Sequence, residues 1–179
     1  GLGVDLVETP YGLVAGGDGY VQRWIADLHV GAGCQCGPAL APCGNAGADG
    51  CLNASGESAR LRACGSRSIG TANLALVADR LNAGTWGIVF HGSANGSPFF
   101  SQNGTVCVGG PTWRYLPHLA HGTALVVDDI VAFDQANHPP GGRLTAGRTY
   151  GFQLWYRDVG GPCGATSNFT NAVSVPFVE

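Results

Sequence analysis

Residues 34–64 read CQCGPALAPCGNAGADGCLNASGESARLRAC, which gathers five of the chain's seven cysteines into one glycine-laden stretch. Cysteines so crowded serve as metal thiolates, as a reactive nucleophile or as disulfides. Zinc sites want thiolates or histidines paired at a recurring short spacing. Here the gaps are one, six, seven and twelve residues, with no histidine inside. A catalytic thiol needs a base and an electropositive setting, for which the stretch offers little. Disulfides fit best. A loop this poor in apolar side chains cannot offset its ordering entropy by burial, and each bridge contributes on the order of 2–4 kcal/mol. The chain is therefore expected to fold in an oxidising compartment and to act outside the cytoplasm, secreted or at a cell surface.

All seven cysteines, Cys34, Cys36, Cys43, Cys51, Cys64, Cys107 and Cys163, are disulfide candidates. Cys107 and Cys163 stand apart from the cluster, each beside a glycine turn, and are expected to pair with each other. The remaining five would then form two bridges and leave one sulfur, either free or bonded to another chain. Spacing does not choose their connectivity.

Charged residues make up only 12% of the 179 residues, while Gly (30) and Pro (10) are abundant, a mixture that suits short strands and tight turns. The length predicts one domain with a real core. A net charge of -3 with scattered cations argues against a nucleic-acid surface. Every cation is arginine, which excludes Schiff-base chemistry. No apolar run is long enough to span a membrane. The lack of any methionine leads to the expectation that a leader or upstream region precedes position 1.

Apolar residues alternate with period two. In GFQLWYR (151–157), Phe152, Leu154 and Tyr156 fall on one face and Gln153, Trp155 and Arg157 on the other. NAVSVPFV (171–178) alternates likewise, with Pro176 favouring a strand end or edge. Further strands are predicted over 21–30, 60–64, 73–78, 86–91, 105–108 and 123–133. About eight to ten short strands between turn signals predict an antiparallel β-sandwich, all-β, with a long disulfide-rich loop over 34–58. Residues 137–147 read as a surface excursion. Residues 1–30 form an apolar arm ahead of a sandwich domain spanning 31–179, and its pieces LGVDLVE and YGLVA are candidate donor strands.

Ordered landmarks, C-G-N-x-G at Cys43, G-C-x-N at Gly50, C-x-G-G at Cys107, W-Y-R-D at Trp155 and N-F-T-N at Asn168, give residues 34–178 a resemblance to a family of secreted bacterial domains. These are common in planctomycetes and myxobacteria and often close large surface proteins. The resemblance implies secretion and an all-β fold, with no activity attached.

Catalytic signatures are absent. The histidines are dispersed, and His118 and His121 are expected in a solvated loop; only their convergence with Asp134 would revive an enzymatic reading. Asp128, Asp129 and Asp134 lack a calcium-loop pattern. No cofactor or metal is implied. Trp86 and Trp155 are expected in the core, leaving Trp113, in PTWRY, and Tyr115 as stacking platforms for a sugar. Sequons at Asn53, Asn95, Asn103 and Asn168 read as turns. Two functions are expected from these features: a structural subunit that self-associates into an oligomer or filament, or joins other surface proteins, by strand addition, and a polysaccharide-binding or adhesive module.

Overall fold

The alternation in 151–157 becomes the centre of the architecture: Thr149–Arg157 is an inner strand of a six-stranded sheet, with Phe152, Leu154 and Tyr156 fully buried on one face. The computed structural model describes residues 6–9, 12–15, 31–32, 34–94 and 96–179, the first three stretches as backbone only. In chain order the strands are β1 (Leu6–Thr9), β2 (Gly12–Ala15), β3 (Gly31–Ala32), β4 (Arg60–Cys64), β5 (Ala75–Asp79), β6 (Trp86–Ser93) and β7 (Phe99–Ser101). They continue as β8 (Gly104–Val106), β9 (Gly109–Leu119), β10 (Leu125–Val127), β11 (Thr149–Arg157), β12 (Ser167–Phe169) and β13 (Val173–Pro176), with one short helix, α1 (Ile130–Asn137), among the described residues.

The large sheet runs β3-β13-β11-β6-β9, with β12 also paired to β11, and a smaller sheet runs β10-β5-β4. All these strand pairs are antiparallel. Leu61, Leu76 and Leu125 of the small sheet pack against Val89, Phe152, Leu154 and Val175 of the large one, and Ile130, Val131 and Leu144 extend the same core. This is a β-sandwich, as expected.

Three expectations fail for identifiable reasons. Residues 123–133 are not one strand: β10 ends at Val127, Asp129 takes a left-handed φ of 52°, and α1 begins. The apolar residues there follow two periods in succession, and Ile130 and Asp134 share one helical face. The long strand β9 escaped notice because Pro111 and Pro117 interrupt it. It lies at the edge of its sheet, where a missing donor costs little. Residues 137–147 are no mere surface excursion, since His138, Gly142 and Leu144 are buried where they close the core.

Residues 34–58 do form a loop, with only a short 3-10 turn at Pro38–Leu40 and an isolated bridge between Leu52 and Ser58. It is fastened by sulfur. The disulfides are Cys34–Cys107, Cys36–Cys51 and Cys43–Cys163, so Cys107 and Cys163 each reach back to the loop rather than to one another. The loop lacks apolar anchors of its own, so covalent ties to the body hold it where burial does not. Cys64, the seventh, remains a thiol buried on β4 and is not placed to bridge another chain.

A polar hub joins the same loop to the sheet. Asp158, buried at the end of β11, accepts hydrogen bonds from Ala54 N (2.8 Å), Asn82 Nδ2 (2.8 Å), Asn103 Nδ2 (3.0 Å) and Asn168 Nδ2 (3.1 Å). Four donors on one carboxylate offset its desolvation.

Within the arm, β1 pairs with β2, Leu6 opposite Ala15, and β3 pairs with β13. The strand expected over 21–30 and the placement of Trp24 lie outside the described residues.

Two outcomes are expected. Alkylation of unreduced, denatured protein should modify one cysteine, Cys64, as read by peptide mass mapping; three or more modified cysteines would refute the disulfide set. Asp158→Ala, which removes the acceptor that four donors share, should lower the unfolding free energy by about 3–5 kcal/mol in denaturant titrations. A loss below roughly 1 kcal/mol would deny the hub its role.

Candidate functional site

Strand parity sends one set of side chains from the large sheet away from the sandwich core. On this outer face Trp155 of β11 pairs with Ile88 of β6 and Phe169 of β12, while Gln153 pairs with Phe90, itself opposite Arg114 of β9. The β7–β8 hairpin covers part of the face. Val106, Cys107 and Val108 pack on Phe90 and Phe169 as a second small core. Gln153, fully buried, holds this hairpin by accepting from Cys107 N (3.0 Å) and donating to Thr105 O (2.9 Å) and Thr170 O (2.7 Å).

What the hairpin leaves uncovered is a groove of about 740 Å3. Ile88, Phe90 and Trp155 form its floor, Phe99 stands on its lip at 57% exposure, and Arg114 and Arg157 are exposed along it. The Arg157 guanidinium lies 5.5 Å from the centre of the Trp155 ring. Gln102, Thr112 and Ser167 add neutral polar groups, and among the described residues no Asp or Glu lines the groove. Such a surface combines aromatic contact with fixed positive charge.

The platforms expected from sequence are elsewhere. Tyr115 is 5% exposed, and Trp113 is half-buried with its ring against Gly142, where any side chain at 142 would collide with it. Both sit at the odd positions of β9, whose even positions, Thr112 and Arg114, face the groove. Trp155 and Trp86, expected in the core, are instead groove-lining and 51% exposed respectively. The parity of 151–157 puts Trp155 on the face of Arg157, away from the sandwich core. Three sequon asparagines, Asn53, Asn103 and Asn168, are buried in or beside the Asp158 hub, and Asn95 lies outside the described residues.

Asp134 does not converge with His118 and His121. It meets two other histidines between the sheets. Asp134 Oδ1 is 2.8 Å from His138 Nδ1 and 3.8 Å from His91 Nε2, and all three residues are buried. His91 arrives from β6 on the inward parity of Val89, between two register shifts in the β6–β9 pairing. Asp134 and His138 are one helical turn apart, a spacing that DQANH displays in the sequence. Asp128 and Asp129 are exposed, apart from the cluster.

Each member has further partners. His91 Nε2 lies 3.0 Å from Gly142 O, a carbonyl that only accepts, so this nitrogen carries the proton and Nδ1 accepts from Tyr115 Oη at 3.0 Å. His138 Nε2 donates to Arg114 O at 3.0 Å. Asp134 Oδ2 accepts from Leu144 N (2.7 Å) and from Gln135 Nε2 (3.3 Å). Burial pushes His91 below the usual histidine range, against the opposing pull of the Gly142 carbonyl and Asp134, and keeps the ring neutral. Tyr115 is raised well above the usual phenol range by burial and then by Asp134, so it stays protonated.

Compared with family models, curated proteins and solved structures, the chain matches none. No helix among the described residues is long and apolar enough to cross a membrane.

Proposed function

We propose that this protein is a secreted, non-catalytic binding module whose open sheet face grips an extended acidic polysaccharide. The observation that carries the reading is the groove itself, with Trp155, Phe90 and Phe99 for contact, Arg114 and Arg157 for charge, and no carboxylate among its described lining residues to oppose them. Its volume of about 740 Å3 is within the usual range for ligand sites. Guanidinium forks match carboxylates with two hydrogen bonds each, which favours a uronate-bearing chain over a neutral one. The three disulfides support folding outside the cytoplasm, where such a ligand is met.

The sheet edges favour face binding over assembly by strand addition. The outer edge of β9 carries Pro111 and Pro117, and its Arg114 carbonyl is engaged by His138. On β4 the Asn171 side chain takes both Leu61 N (2.7 Å) and Leu61 O (3.2 Å), imitating a neighbouring strand. On the far side of the large sheet β3 pairs with β13. The β9 and β4 edges, blocked in this way, resist an incoming strand.

Isothermal titration against a polyuronate and a neutral glucan tests the reading. The polyuronate should bind and the glucan should not. Arg114→Ala and Arg157→Ala should each weaken binding about tenfold or more, the equivalent of one charge-assisted contact, and Trp155→Ala should do the same while Trp113→Ala has little effect. Equal binding of both polymers would overturn the acidic assignment. Binding lost with Trp113 and kept without Trp155 would overturn the site.

A further inference from the structure

We propose that His91, Asp134 and His138 form a binding site for one divalent transition ion of borderline softness, Zn2+ foremost, which clamps α1 and the segment after it to the large sheet. Their ligand atoms lie within 4.8 Å of one another, all on buried residues. Two imidazoles and one carboxylate suit zinc and its neighbours, whereas calcium and magnesium want oxygen shells this enclosure lacks. Donors around a tetrahedral zinc are about 3.3 Å apart, as follows from bonds of roughly 2.0–2.2 Å. The present spacings of 2.8 and 3.8 Å straddle that value. The two imidazole nitrogens, within 4.8 Å of one another, close on a shared ion by side-chain adjustment.

The surrounding hydrogen bonds serve a metal equally well. His138 Nε2 already donates to Arg114 O, leaving Nδ1 as the ligand atom. When an ion is bound, it takes His138 at Nδ1 and His91 at Nε2, and the His91 proton sits on Nδ1 instead. There it meets the oxygen of Tyr115, whose hydroxyl turns to Asp134, a partner already within its reach. Asp134 Oδ2 keeps the Leu144 amide. Every ligand is thus oriented from behind, as ligating side chains generally are. Gly142 O, 3.0 Å from His91 Nε2, is the nearest further oxygen, and the Trp113 ring packed on Gly142 holds it there. An adjoining cavity of about 260 Å3, walled by His91, Trp113, Gly142 and Tyr150, gives an ion its way in.

Zn2+ titration of the purified full chain, with metal analysis after gel filtration, decides the matter. The expected result is one retained Zn2+ per chain and a thermal unfolding midpoint that rises with Zn2+ but not with Ca2+ or Mg2+. His91→Gln and Asp134→Asn should weaken binding about 100-fold or more, and Tyr115→Phe about tenfold, while the double variant His118→Ala, His121→Ala should retain it. A wild-type chain that keeps no Zn2+ from micromolar solutions overturns the proposal whatever the variants do. So does binding that survives His91→Gln and disappears with His118 and His121.

Discussion

A loop with almost no apolar side chains has to be held against a sheet, and the rest of the molecule follows from how that is done. Ordering a residue costs about 1–2 kcal/mol of backbone entropy, which core segments offset by burial. Residues 34–58 meet it with sulfur and polar contacts instead. Cys34 grips the residue after β8, Cys43 grips the turn beyond β11, and Asn45 Nδ2 donates to Asn103 O at 2.7 Å. Thr105 on β8 hydrogen-bonds Leu40 O. The loop therefore fixes the β7–β8 hairpin, and the hairpin decides how much of the outer sheet face stays open. Stability and binding surface share one set of ties.

The two faces of the large sheet are finished differently. The inward face is sealed by the small sheet along most of its length and by α1 with its following segment at the other end, where the apolar layer gives way to His91, Asp134, His138 and Tyr115. The outward face carries a smaller core under the hairpin and then opens into the groove. β9 belongs to both: its odd residues build the histidine cluster's surroundings and its even residues, Thr112 and Arg114, serve the groove. One proline-marked edge strand thus links the two sites.

Much of this was legible in the sequence. Period-two alternation located β4, β6, β11 and β13 and the sandwich they make, and the spacing of the cysteines announced a stapled loop. The quoted landmarks carry residues of the hub and the bridges, Cys43, Asn53, Cys107, Asp158 and Asn168; the cysteines read as disulfide candidates, whereas Asn53 and Asn168 read as turns. Connectivity was not legible, because a disulfide depends on which chain segments meet in space and spacing is silent on that. The groove was hidden for a related reason: Ile88, Arg114 and Trp155 are far apart in sequence and come together only once β9, β6 and β11 align. Trp155 was expected in the core because it lies within an alternating strand, but its parity puts it on the outer face with Arg157. The Asp134–His138 spacing was visible, but its partner His91 arrives from another strand.

The most direct test of the central claim, that the open sheet face is where this protein meets its ligand, is hydrogen exchange read by mass spectrometry with and without a polyuronate oligosaccharide. Protection should concentrate in residues 99–106, 109–116 and 153–157 and leave residues 60–80 of the small sheet unchanged. Protection confined to the small sheet, or none anywhere at saturating oligosaccharide, would contradict the account.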